Sequence, residues 1–497
     1  MSNEKLKVSG VTYTTRDKDY FDKRELKRSA GIWGLWGLAV AAVISGDFSG
    51  WNFGVSAGGF GGLLIAFVIL VVMYYGLMFA IGEMSAAMPH SGGAYSFGRK
   101  AMGPWGGYIT GLAETIEYVA TTAVVVFFSA AYLNGVTSEL FALDLTGNMW
   151  IWYVVLYIVF IGVNSLGSNV SFKFSIIVSI ISLAIILLFS VMVLFSGQID
   201  WNSLWNIAPN PDAAGSNWFL PEGYLGILYA IPFGVWLFLG IEELPLAAEE
   251  AHNPSRDIPK AGFWARGTLI VTGLLVMFIN TGILGAEATG AAGEPLLDGF
   301  RAIVGDGWAA VLGIFALIGL LASLQGIMFA YGRNMYSLSR AGYYPKVLSI
   351  TGKNKTPWLA LTAGGAIGLA ALVYLDWSVA ADPEGMGALA GPIILNIAVW
   401  GAMLAYLMQM VAFIILRRNH PEMERPYKSP WGIGGATLTA LIAAAAFVGF
   451  LLNEAFRPAI YAIIVVYVVM LLAFAVWGRH NLVLSPEEKY AVHGKHE

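Results

Sequence analysis

The chain has 497 residues, of which 57% are hydrophobic and 12% are charged, whereas a typical soluble domain carries about 25% charged residues. A mean hydropathy of +0.68 and apolar stretches that recur from end to end predict an all-α polytopic membrane protein, since an outer-membrane barrel would show alternating segments of about 10 residues. The net charge of −4 says little, because the charges are sorted by side, and no nucleic-acid partner is expected; the absence of Cys excludes disulfides.

Twelve stretches are long enough to cross the lipid bilayer, which takes about 20 apolar residues per helix. Their approximate limits are 31–58, 62–88, 104–136, 148–165, 170–197, 222–252, 259–286, 306–340, 357–375, 389–417, 432–453 and 458–478. The polar first 28 residues have no apolar stretch of the kind found in a cleavable signal peptide. We predict a cytoplasmic N-terminal segment, two five-helix repeats, two further helices and a cytoplasmic tail, with limits 1–29, 30–200, 201–420, 421–480 and 481–497.

Lys and Arg residues are distributed unequally between the two sides of these spans. Only Arg301 and Arg457 fall in loops of one side, whereas the others fall in the termini or in loops of the opposite side. Basic residues are enriched on the cytoplasmic side of membrane proteins. We therefore expect a multi-pass protein of the cytoplasmic (plasma or inner) membrane, with both termini in the cytoplasm.

Spans 1 and 6 are each interrupted by glycine and carboxylate. The first break reads Ser45-Gly46-Asp47-Phe48-Ser49-Gly50, and the second reads Phe238-Leu239-Gly240-Ile241-Glu242-Glu243-Leu244-Pro245. A carboxylate at bilayer depth costs about 2.5–3.5 kcal/mol on insertion scales, and unwound backbone there must be buried or line a cavity. Breaks at corresponding positions of two repeats indicate the binding site of a transporter. Because five spans separate the starts of these helices, the two repeats should have inverted topology.

Three stretches resemble the amino acid–polyamine–organocation transporter superfamily. They run from Gly82 to Gly107, from Gly240 to Pro259 and from Arg333 to Pro357. They include Ser91-Gly92-Gly93-Ala94-Tyr95 and Glu249-Glu250-Ala251-His252-Asn253-Pro254. The resemblance implies the leucine-transporter-like fold, which is a 5+5 inverted repeat followed by two C-terminal helices, and alternating access around a central site.

The turn in helix 1 departs from that of the amino-acid members, in which a short Gly-Ser/Thr-Gly turn holds the substrate carboxylate. Here Asp47 stands where that carboxylate would be held, and its charge would compete for the same N–H groups and for the positive end of the second half-helix. This turn and the run from Glu242 to Glu250 are most similar to the ethanolamine permease branch. Ethanolamine keeps the amine and lacks the carboxylate, so both arguments favour a small cationic amine as substrate.

The substrate-binding candidates in helix 1 are Ser45, Gly46, Asp47, Phe48 and Ser49. Asp47 either binds the amine, directly or through water, or caps the second half-helix by accepting from the N–H of Ser49 or Gly50. Gly46 is expected to bring backbone carbonyls close to the ammonium group, which has three donors. The alternative is a packing position, which is the commoner role of glycine in membrane helices.

The candidates in helices 3 and 6 are Glu117, Tyr118, Phe238, Gly240 and Glu242. No Lys or Arg falls near the middle of any span, so a cationic substrate would supply the missing positive charge. The resemblance implies that Phe238 is a gating aromatic. The acids could instead brace neighbouring helices, and Glu114 and Glu243 are weaker candidates for the same site. A Cβ at Gly61, in the external turn, is expected to be better tolerated than one at either break.

At the cytoplasmic end of helix 6, Glu249, Glu250 and Arg256 are interpreted either as ion-pairing groups of an inner gate, together with Arg28, or as a solvated helix end. A coupling proton or sodium ion is a further expected partner. Some members of the superfamily couple through a Lys in helix 5, and the corresponding position here is Ser182.

The leading hypothesis is a secondary active transporter, a symporter that imports ethanolamine or a similar small alkanolamine. The alternative is an amino-acid or polyamine permease of the same superfamily. A channel should lack two breaks placed one repeat apart. An enzyme should show a nucleophile, metal cluster or nucleotide motif; the chain has no Cys, six His and no His-Glu-x-x-His sequence. Neither a cofactor nor a metal is expected.

Overall fold

Helices form most of the structure, a computed structural model that describes residues 5–8, 10–16, 18–24, 26–382, 385–452 and 457–493. In chain order they are α1 (Lys18–Asp22), α2 (Ile32–Val43), α3 (Ser45–Phe48), α4 (Phe53–Ala87), α5 (Gly93–Phe141), α6 (Trp150–Ser165), α7 (Ser168–Ser196), α8 (Gly223–Trp236), α9 (Pro254–Leu284), α10 (Ala286–Ala291), α11 (Pro295–Val304), α12 (Asp306–Arg340), α13 (Trp358–Ala381), α14 (Gly385–Asn419), α15 (Gly432–Leu452), α16 (Arg457–Val476) and α17 (Pro486–His493). Short 3₁₀ segments include Trp201–Trp205 and Ile241–Glu250.

The hydropathy pattern predicts these helices well. In the described part of the chain, ten helices are long and apolar enough to cross a membrane, and the shorter apolar helices Ile32–Phe48 and Trp150–Ser165 correspond to predicted spans 1 and 4. The observed α12, Asp306–Arg340, has the limits predicted for span 8. The prediction of an all-α protein with twelve membrane helices is confirmed.

The glycine-rich stretch after span 1 forms the predicted turn. Gly59 has a φ of 72° inside α4, a left-handed conformation that only glycine adopts without strain. Two helices meet at this kink, so α4 contains both the end of span 1 and span 2 as far as Ala87. The expectation about Gly61 is wrong, because a Cβ at that position would lie 2.1 Å from the carbonyl oxygen of Phe219. This turn is tightly packed.

The two repeats pack against each other through the helices that carry or neighbour the breaks. Helix α5 packs along both α12 and α14, and α4 packs along α8. Helix α2 contacts α7, α9 and α12. The breaks of spans 1 and 6 therefore lie at the interface between the repeats, where unwound backbone is shielded from lipid.

Both termini contribute to a small sheet that was not predicted. Strand β1 (Lys5–Val8) pairs antiparallel with β2 (Val11–Thr14), and β2 pairs in parallel with β3 (Leu482–Val483). These strands are too short to give a period-two pattern in the sequence. We call the end of the bundle at which the described parts of both termini meet the basic end, since Arg99 and Arg340 also lie there.

Candidate functional site

The two breaks contact each other at the centre of the bundle. A Cβ at Gly46 would lie only 2.6 Å from the carbonyl oxygen of Trp236, the last residue of α8. The indole Nε1 of Trp236 donates to the carbonyl oxygen of Ser49 at 2.9 Å. Gly46 therefore allows the backbones of the two broken helices to approach each other. Because Gly46 contacts helix 6 closely, the structure agrees with the alternative that Gly46 is a packing position.

Side chains from other helices bind the backbone groups that the first break leaves free. The hydroxyl of Ser323 on α12 accepts from the N–H of Ser45 at 2.8 Å and donates to the carbonyl of Ala41 at 2.7 Å. Tyr132 on α5 donates to the carbonyl of Phe48 at 2.7 Å. The carbonyls of Phe48 and Ser49 thus already accept hydrogen bonds from side chains of other helices, and the sequence did not reveal these partners.

Asp47 is buried and faces α9. Its side chain is 1% exposed, and neither carboxyl oxygen has a hydrogen-bond partner among the described residues. It faces Thr272 and Gly273 of α9, and a Cβ at Gly273 would lie 3.8 Å from Oδ1. The N–H of Gly50 is instead bound by Oδ1 of Asn52 at 3.1 Å. The capping alternative for Asp47 is therefore wrong, and the N–H of Gly50 is bound by Asn52 instead.

Four buried glutamates surround the second break. Glu242 accepts from the N–H of Gly240 through both oxygens, at 3.1 and 3.2 Å. Gly240 has a φ of 107°, so the break depends on glycine at this position. The carboxyl of Glu117 is an electrostatic neighbour of Glu242, and both oxygens of Glu117 and of Glu243 have no hydrogen-bond partner in the described chain. No Lys or Arg forms a salt bridge with these acids within the described residues.

Glu114 differs from the other acids because it is already bound. Asn334 on α12 donates to its Oε2 at 3.0 Å, and Tyr118 donates to its Oε1 at 3.5 Å. Tyr118, a predicted substrate contact, therefore points toward Glu114. Of the acids in α5, Glu117 is the one whose oxygens remain available.

Phe238 belongs to an aromatic cluster beside the second break. Its ring centroid lies 5.3 Å from Phe67 and 5.0 Å from Tyr74, both on α4. The hydroxyl of Tyr74 lies 3.3 Å from that of Tyr406 on α14. The side chains of Asp47, Phe48, Glu117, Phe238 and Glu242 are all 0–2% exposed. The central region is thus closed to solvent on both sides.

Ion pairs close the basic end beneath the second break. Arg340 binds Glu249 through two contacts of 2.6 and 3.0 Å, and Arg333 binds Glu250 at 2.9 Å. The prediction of an ion-paired inner gate is therefore correct for the two glutamates but wrong for their partners. Arg256 pairs with the adjacent Asp257 at 2.9 Å. Arg333 and Arg340 belong to α12, which is remote in sequence from helix 6.

The C-terminal helix α17 takes part in this closure, which the sequence did not indicate. Glu487 binds Arg340. Glu488 accepts from Arg99 at 2.6 Å and from the hydroxyl of Tyr13 at 2.7 Å. The described ends of the chain are therefore tied to the gate residues.

A short helical segment covers the opposite end of the site. Asn52 donates to the carbonyls of Thr289 and Ala292, at 3.0 and 2.7 Å. Next to them, burial raises the pKa of Glu294 to about 7, and the neighbouring guanidinium of Arg301 opposes this shift. The segment from α10 to α11 therefore rests directly on the first break.

Comparison with known proteins agrees with this architecture. Residues 34–483 match the family model described as amino acid permease. An uncharacterised transporter of Rhizobium meliloti (strain 1021) is 29% identical over 329 residues, covering 65% of this chain and 68% of that relative. The branched-chain amino acid permease BcaP of Bacillus subtilis (strain 168) is 25% identical over 428 residues, covering 82% of this chain and 85% of that relative.

The fold is also similar to a solved structure. Mhp1, a nucleobase-cation-symport-1 family transporter in a closed conformation with bromovinylhydantoin bound, has a TM-score of 0.50 and 16% identity, covering 94% of this chain and 98% of that one. This similarity concerns the fold alone. With the family model matching most of the sequence, the chain belongs to the amino acid permease family of the amino acid–polyamine–organocation superfamily, and is a secondary transporter with the leucine-transporter-like fold.

Proposed function

We propose that this protein imports ethanolamine or a similar small alkanolamine across the cytoplasmic membrane by alternating access. The observation that carries the proposal is the set of buried acids at the two breaks, which have no basic partner in the described chain. Asp47, Glu117, Glu242 and Glu243 are each 0–2% exposed. A buried carboxylate is costly unless it is neutralised or paired, and a cationic substrate brings the charge that would pair it.

We place the amine between Glu117 and Glu242. These carboxyls are neighbours, and the oxygens of Glu117 have no protein partner among the described residues. The ring of Phe238 lies beside the same break, within 5.0 Å of Tyr74, and an ammonium group close to an aromatic face gains about 0.5–2 kcal/mol. Two carboxyls and an aromatic wall suit a compact cation.

Asp47 has a different role in this proposal. Because its carboxyl faces Thr272 on α9, we assign to it the coupling cation, a proton or a sodium ion. Before that cation binds, the negative charge of Asp47 at the first break also disfavours a substrate carboxylate there. The protein would therefore select amines over amino acids by charge, at a position separate from the amine contact.

Transport then requires the two ends to open in turn. At the basic end, which we assign to the cytoplasm, opening would separate Glu249 from Arg340 and Glu250 from Arg333. At the other end, the α10–α11 segment would release Asn52. The closed arrangement is the intermediate between these two states.

An amino-acid permease remains the second candidate, favoured by the family match and by BcaP. Binding of ethanolamine and of serine distinguishes the two candidate functions, since serine is ethanolamine with an added carboxylate. We expect purified protein to bind ethanolamine more tightly than serine or glycine in competition calorimetry. Asp47→Asn should reduce this preference. Equal or tighter binding of serine by the wild-type protein would contradict the proposal.

A further inference from the structure

A cavity at the basic end lies on the lipid-facing side of the bundle, away from the central site. Its volume is ≈ 690 Å³, and it lies between α4, the first turns of α9 and the loop that precedes α15. Lining residues include Phe79, Lys260, Phe263, Arg266 and Tyr427. Nothing in the transport proposal uses these residues.

Arg266 is the unusual member of this group. It is 2% exposed, and its Nε and Nη2 atoms have no hydrogen-bond partner in the described chain. Its guanidinium lies 3.7 Å from the ring centroid of Tyr75 and 5.0 Å from that of Phe79. Ring faces stabilise a cation, and the Tyr75 hydroxyl lies near the guanidinium, but Nε and Nη2 remain without an acceptor among the described residues. A buried guanidinium with free donors beside a cavity favours an anion there.

The charge around the cavity is positive. Lys260 is exposed and lines the cavity wall. It lies six residues before Arg266 on α9, which corresponds to about 9 Å along the helix axis at a rise of about 1.5 Å per residue. The nearest acid on α4 is Glu83, which is already bound by Arg417 at 2.5 Å and Arg425 at 3.0 Å. It therefore does not neutralise Arg266, and the cavity attracts an oxyanion.

The position of the cavity identifies the anion as part of a lipid. Phe263 and Trp264, on the same turn of α9, are 53% and 57% exposed. Exposed aromatic residues of this kind lie at the membrane–water interface, and basic cavities between membrane helices bind the head groups of anionic lipids. We propose that this cavity binds the phosphate of an anionic phospholipid from the leaflet at the basic end, with Arg266 and Lys260 as its ligands.

Native mass spectrometry of the full-length protein tests this proposal, with phosphatidylglycerol and phosphatidylcholine as probes. We expect tighter retention of phosphatidylglycerol, with a loss of about fivefold in each of Arg266→Gln and Lys260→Gln. Lys173→Gln is the matched control, because Lys173 is exposed on α7 and outside this cavity. It should bind lipid as the wild type does.

Lys260→Gln keeps the test valid if Arg266→Gln does not fold, because Lys260 is exposed. Wild-type retention of phosphatidylglycerol in both variants would overturn the proposal, and so would equal retention of the two lipids by the wild type. Displacement of phosphatidylglycerol by inorganic phosphate at the same concentration would also overturn it, because the site would then take free phosphate.

Discussion

Valine in place of Gly46 or Gly240 is expected to abolish transport while the protein still folds. At Gly46 the new side chain would meet the carbonyl of Trp236, where even a Cβ would lie at 2.6 Å. At Gly240 the φ of 107° is strained for any β-branched residue. Either change would push the two breaks apart or distort the Glu242 contact. Uptake of labelled substrate by reconstituted protein is the measurement.

The matched control is Gly267→Val in α9. Gly267 is also a membrane-helix glycine, but a Cβ there meets nothing within 4 Å, so its uptake should be near that of the wild type. Gly61 is unsuitable, because its Cβ would meet the carbonyl of Phe219. Near-normal uptake by both break variants would mean that the breaks tolerate displacement or that the substrate binds elsewhere.

The second large effect concerns the acids at the second break. Glu117→Gln and Glu242→Gln should each weaken ethanolamine binding by about 1–3 kcal/mol, the range for a lost charge-assisted hydrogen bond. Both changes preserve shape, remove the charge and replace one acceptor oxygen by an NH2 donor. Calorimetry on folded, monodisperse protein measures the effect.

Glu114→Gln provides the comparison, because it lies one turn away on the same helix and its carboxyl is held by Asn334 at 3.0 Å. A glutamine oxygen can accept the same bond, so the loss of affinity should be much smaller. If Glu117→Gln and Glu242→Gln bind and transport ethanolamine as the wild type does, these acids are structural.

The fold could be predicted because hydropathy alone locates long apolar helices. The breaks could be predicted because glycine and carboxylate are so unfavourable inside a span that they stand out, as Gly46-Asp47 and Gly240 do. Local sequence also identified the acids that are buried. The helices, the breaks and the buried acids each depend on a continuous stretch of sequence.

The partners of these residues could not be predicted, because they depend on how helices pack. Asp47 was a candidate cap, but Asn52 binds the N–H of Gly50 and Asp47 faces Thr272 of α9. Glu249 pairs with Arg340, which is 91 residues away. The docking of α17 depends on Glu487 and Glu488, which pair with Arg340 and Arg99 from distant parts of the chain. No local pattern encodes such contacts.

Uptake of labelled ethanolamine into proteoliposomes tests the central claim most directly. With a negative interior, a potential of about 100 mV favours entry of each positive charge by about 2.3 kcal/mol. The account predicts saturable uptake that unlabelled ethanolamine inhibits strongly and that serine and polyamines inhibit weakly. Uptake of serine without uptake of ethanolamine would contradict it.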